Sequence, residues 1–231
     1  MSLALNDGRH MILRAVTSIV IAVPSDLTKS RAGSSDVLRK EDANPEGKGL
    51  NGFLLDWHQT EPRAVIAKPR RQVLAEYFTS MLILSAAFSY RPSIGTRNFL
   101  YLVDGEWSLS LIGPDEWSDE RRDGFVGTCI LQRDMTWTIQ PSERIADDPV
   151  LSEALARFYD GFATSLETDQ TIEEILPFYA GQLRYYQRLF ASALSRSIRA
   201  SVTLSGERST PCREWRVLLP SLENVLLTRK D

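Results

Sequence analysis

Few residues in this chain are equipped for acid–base or nucleophilic work, so each can be weighed singly. Histidine occurs only as His10 and His58, and cysteine only as Cys129 and Cys212. Any imidazole base must be one of those two histidines, and without a CxxC spacing neither a zinc site nor a disulfide framework is spelled out. Asp56 and His58 form the one carboxylate–imidazole neighbourhood, and a carboxylate can orient an imidazole for proton transfer. Two positions apart on a helix, however, they point to different sides. No nucleophile elbow accompanies them, so both read as polar residues at the surface. Cys129, in mid-strand, reads as a buried thiol. No catalytic residue and no metal ligand is therefore assigned, and no cofactor is expected.

Binding chemistry is better represented. Trp107, Trp117 and Trp137 fall in or beside one short stretch of strands, and indoles serve both cores and binding surfaces. Core packing explains Trp107 and Trp137, whereas Trp117 ends a turn and belongs nearer the surface. A cleft beside it, edged by Glu116 and Asp134, makes Tyr101, Trp107, Glu116, Trp117, Asp134 and Trp137 the ligand-binding candidates. The expected function is a non-catalytic binding or interaction module. The alternative is a small enzyme with Glu116 or Asp134 as acid or base in that cleft. Lys68, Arg70 and Arg71 open a helix, where an anion can be held, but without a phosphate-loop spacing they read as a solvated turn. Arg184, Arg188 and Arg199 read as the charged outer face of another helix.

The elements that must position these residues follow from periodicity. Leu50, Phe53, Leu54 and Trp57 predict a short helix, and Val73 to Leu84 an amphipathic one over about Arg70 to Phe88. From Asn98 the period changes to two. Phe99–Val103 and Glu106–Ile112 flank Asp104-Gly105, the dipeptide of a type I′ hairpin. A second pair, Phe125–Gln132 and Met135–Ile139, is joined by a tight Arg133-Asp134 turn. Asp148 and Pro149 start a helix to about Leu166. Thr171 to Glu174 is a capping box opening a helical segment to about Ala200, with Pro177 kinking it or resetting its start. Val202–Leu204 and Trp215–Leu219 read as strands, and Leu222–Leu227 as a short helix.

These elements define an α+β fold: a small antiparallel four-stranded β-meander packed on a preceding helix and followed by an antiparallel helical pair. At 231 residues, with 43% hydrophobic and 25% charged residues, the chain can bury one good core. Residues 1–49 form a flexible arm, 50–147 the helix and meander, and 148–231 a helical hairpin and extension on the same core. The apolar run Met11 to Val23 is too short to span a bilayer and lacks a clean cleavage site. A cytoplasmic location without a membrane partner is expected. A net charge of −3 gives no field for nucleic acid. The aromatic helices after Pro149 carry more apolar surface than a small sheet covers, so a protein partner or homodimer through them is expected.

Leu100-Tyr101, Ser110-Leu111-Ile112-Gly113-Pro114-Asp115-Glu116-Trp117, Phe125-Val126-Gly127 and Leu131-Gln132 with Asp134-Met135-Thr136-Trp137-Thr138 together resemble the family called domain of unknown function 2452. The likeness covers about residues 97–140. Gly113, Cys129 and Ile139 depart from its pattern. The family has no established activity, so the resemblance implies the sheet and no reaction.

Overall fold

The computed structural model describes residues 50–178 and 183–226. The expected arm, including Met11 to Val23, lies outside them, as does Tyr179. The described chain opens with α1 (Leu50–Gln59) and α2 (Arg70–Ser85). The strands β1 (Arg97–Val103) and β2 (Glu106–Ser110) follow, then a 3-10 turn (Pro114–Glu116) and α3 (Asp119–Asp123). Next come β3 (Phe125–Leu131), β4 (Trp137–Pro141), a second 3-10 turn (Glu143–Ala146) and α4 (Pro149–Ser165). The last helices are α5 (Ile172–Ile175), α6 (Tyr185–Leu204), α7 (Cys212–Arg216) and α8 (Leu222–Leu226).

The strands form an antiparallel four-stranded sheet, as expected of an α+β fold, in the order β2-β1-β3-β4. β3 thus passes β2 and pairs with β1. Residues 111–124 make that passage, a length that periodicity alone does not route. The β1–β2 turn has φ of 51° at Asp104 and 79° at Gly105, the double positive φ of a type I′ hairpin. The β3–β4 turn is longer than the two-residue reading. Gln132 N–H donates to Thr136 O at 2.8 Å, and Met135 takes φ 64°, which delays β4 to Trp137. Between Leu100 and Tyr101 the β1–β3 register shifts, leaving Val126 as a bulged residue.

Alternation places Leu100 and Leu102 of β1 on one face of the sheet with Trp107, Leu109, Cys129, Leu131, Trp137 and Ile139. This face meets α2. The opposite, outer face carries Arg97, Phe99, Tyr101, Ser108, Ser110, Thr128, Ile130, Thr138 and Gln140. α2 is buried on all sides from Val73 to Leu84, because α4, α6, α7 and α8 close around it. A helix enclosed on every side is a central helix, although Glu76, Thr79 and Ser80 interrupt its apolar surface. Phe78 meets Phe158 and Phe162 edge-on at 5.6 and 5.4 Å between centroids.

α6 also completes α2. Gln187 Nε2 donates to Leu84 O at 3.1 Å and Ala86 O at 2.7 Å, serving carbonyls that a helix end leaves without partners. Gln187→Leu should therefore cost about 1–3 kcal/mol, read as a lower urea midpoint with an unchanged denaturant slope. A change under about 0.5 kcal/mol, the level of surface substitutions, would discount this cap.

Pro177 resets the helix: the capping box holds, with Thr171 N–H donating to Glu174 Oε2 at 2.7 Å, but α5 ends at Ile175 and α6 starts at Tyr185. Neither Val202–Leu204 nor Trp215–Leu219 is a strand. The first closes α6 and Trp215 lies in α7, where Trp215 and Val202 pack into the common core. Tertiary packing overrides their strand propensity. The aromatic stripes of α4 and α6 are buried within one chain: Leu151, Leu155, Phe158 and Phe162, and Tyr186, Leu189, Phe190 and Leu194. That burial removes the surface reason for pairing two copies through them. No helix among the described residues is long and apolar enough to cross a membrane.

Candidate functional site

The strongest polar convergence is inside the protein. Lys68 precedes Pro69 and α2, and its ammonium reaches Glu76 Oε2 at 2.5 Å and Asp134 Oδ2 at 2.6 Å. The three side chains are 4%, 5% and 7% exposed. Gln72 Nε2 donates to the other Glu76 oxygen at 3.0 Å. Asp134 Oδ1 accepts from Thr136 N at 3.2 Å and Thr136 Oγ1 at 2.7 Å, so the aspartate shapes the β3–β4 turn while pairing with Lys68. Burial pulls the Lys68 ammonium down, but Glu76 and Asp134 together outweigh it and hold its pKa above the ordinary 10.5. At neutral pH Lys68 is a cation, so it offers no lone pair for nucleophilic attack.

Lys68 is held from the backbone too. Its N–H donates to Ser205 Oγ at 3.2 Å, and that hydroxyl donates to Lys68 O at 3.1 Å. The basic run Lys68, Arg70, Arg71 therefore divides: Lys68 is buried, Arg70 pairs with Glu207 at 2.6 Å and Arg71 is exposed. The solvated-turn reading missed Lys68. The available signal was Glu76, a carboxylate among the apolar positions Val73, Leu74, Tyr77 and Phe78, which needs a buried partner.

A third buried carboxylate, Asp56, accepts from Tyr185 Oη at 2.8 Å and lies 3.4 Å from Arg91 Nη1. His58 is exposed on another side of α1, as the helical spacing implied. Cys129 is pushed far up by burial, and Cys212 up to about 12 by burial and then Glu174. Both remain thiols at neutral pH.

The binding candidates separate into two sets. Tyr101, Glu116 and Trp117 gather at one end of the outer face, under and within the passage from β2 to β3. Tyr101 Oη donates to Ile112 O at 2.9 Å, and burial pushes its phenol up to about 12, against the Trp117 indole and the Arg121 charge. Glu116 is exposed, and its Oε1 accepts from Gly113 N at 3.2 Å. Arg121 stacks 4.2 Å from the Trp117 ring centroid. Trp107, Asp134 and Trp137 lie on the α2 side. Trp107 and Trp137 are buried on β2 and β4, the opposite margins of the sheet. The cleft uniting Glu116 and Asp134 does not form, because the sheet stands between them.

The rest of the outer face stays partly open. Register aligns Ser110, Phe99, Thr128 and Gln140 in one row, and Arg97, Ile130 and Thr138 in the next. Gln140 and Arg97 are exposed and the others half-buried, apart from Tyr101 beneath the passage. No group of three or more His, Cys, Asp or Glu among the described residues is placed to hold a metal ion. No family model, no curated protein and no solved structure matches the chain.

Proposed function

We propose that this chain is a non-catalytic binding module that engages a protein partner through the outer face of its sheet. One observation carries the reading: Lys68, Glu76 and Asp134 are locked into one another on the α2 side, while the outer face keeps a half-open row of aromatic, hydroxyl and amide side chains. A sheet with one packed and one solvated face offers a rigid platform. Phe99 and Ile130 supply apolar anchors, and Thr128, Thr138 and Gln140 supply hydrogen-bonding groups around them, the pattern of an apolar centre with a polar rim. The Tyr101–Glu116–Trp117 corner bounds this platform at one end. The resemblance to domain of unknown function 2452 belongs to the same proposal, since it runs along these strands.

An arrayed peptide library probed with the full chain tests it. Phe99→Ala combined with Ile130→Ser should weaken captured peptides at least about tenfold, the scale of one to two interface anchors. Asp134→Asn should leave peptide affinity unchanged. The contrary result is turnover in a hydrolase or transferase screen that a single substitution at Glu116 or Asp134 abolishes.

A further inference from the structure

α8 is five residues long and reaches the core through Val225 and Leu226, with Leu222 partly covered. The chain before it is firmly seated as far as Trp215, which is 1% exposed. Between these anchors only Val217 and Leu218 stand out, 82% and 42% exposed; Leu219 then packs against the core and Pro220 is buried, its O accepting from Tyr159 Oη at 2.9 Å. α8 packs between α2 and β4, where Val225 and Leu226 line one slot together with Ala75, Thr79, Trp137 and Ile139.

That slot borders a blunted sheet edge. The Trp137 N–H pointing away from β3 donates to Ser80 Oγ at 3.0 Å, and Pro141 has no donor. Side chains rather than a further strand therefore close the edge, and the segment known to fit is α8 itself. A short element held at the edge of the core by Pro220, Val225 and Leu226 opens more readily than the core it covers. A second copy supplies an identical element, and exchanging it remakes every contact of the closed form, a low-cost route to dimers. Large aliphatic residues on the link favour the open form, because two crossing links cover surface that one link exposes.

We propose that two copies of this chain exchange α8, each seating its Val225–Leu226 pair in the other's slot between α2 and β4. The outer face of the sheet plays no part in this exchange. Single-cysteine versions of the full chain, Thr79→Cys and Leu226→Cys, test it when mixed under oxidising conditions. Both positions wall the same slot, while the native thiols are buried. The expected result is a disulfide-linked heterodimer whose yield rises with concentration and exceeds several-fold that from pairing Thr79→Cys with an exposed Leu54→Cys control. In the double variant Thr79→Cys/Leu226→Cys, closure within one chain at low concentration should give way to closure between chains as the concentration rises. Two results overturn the proposal: a mixed yield no greater than the control while the double variant closes only internally, or a double variant that does not close at all.

Discussion

Lys68→Met is expected to lower the free energy of unfolding by about 3–5 kcal/mol, the range for removing one partner from a buried charge pair. The substitution keeps most of the side-chain volume, so the loss reports electrostatics rather than a cavity. It removes the cation that Glu76 and Asp134 share at 2.5 and 2.6 Å. Coulomb attraction is strong at such separations in a low-dielectric interior, and desolvation of the carboxylates is then no longer offset by it. Replacing the whole cluster, as Lys68→Met/Glu76→Leu/Asp134→Asn, should recover most of the stability, because exchanging a buried ion group for apolar packing is often neutral. Chemical denaturation of both variants checks the pair of outcomes. A triple variant as unstable as the single one would contradict the electrostatic explanation.

The same cluster sets an alkaline limit. Lys68 has a folded-state pKa above the ordinary 10.5, so the folded form holds its proton longer than the unfolded chain does. Its contribution is complete below about 10.5 and declines as pH rises through the raised value. Tyr101, up to about 12 in the fold from an ordinary 10.0, acts in the same direction because the unfolded phenol ionises first. Stability should therefore fall above about pH 10, and Lys68→Met should flatten that fall.

Gly124→Ala is the second large effect. A methyl there would stand 2.2 Å from Leu102 O, a backbone atom of the neighbouring strand, and nothing flexible can yield. Relief requires breaking the hydrogen bond from Leu102 N–H to Gly124 O, now 2.8 Å. Overpacking and the lost bond together come to about 3–4 kcal/mol. Gly127→Ala, at 2.6 Å from Gln140 O, should follow. Gly105→Ala meets nothing within 4 Å and suffers only from its positive φ, about 1 kcal/mol. Thermal unfolding of the three should rank them in that order. A Gly105 variant less stable than the Gly124 variant would mean that β3 does not approach β1 this closely.

Local signals account for what the sequence disclosed. Asp104-Gly105, the alternation around Phe99 and Trp137, and the Asp148-Pro149 start each act within a few residues, and each element forms where those signals stand. Strand order was not legible, since pairing β3 with β1 depends on how residues 111–124 fold over Tyr101. Nor was the ion cluster: Lys68 and Asp134 are 66 positions apart, and only the fold makes neighbours of them. Glu116 and Asp134 are nearer in sequence, yet the passage that carries Glu116 to the outer face leaves the sheet between them. Trp117 ends the Pro114–Glu116 turn and is half-buried there, outside the ladder of the sheet.

Amide chemical-shift mapping of the full chain, titrated with a peptide captured from the array, locates the surface that binds. Perturbations are expected along Arg97, Phe99, Thr128, Ile130 and Thr138, with Lys68, Glu76 and Asp134 unmoved. Perturbations centred on Lys68, Glu76 and Asp134, with the outer rows silent, would contradict binding through the outer face.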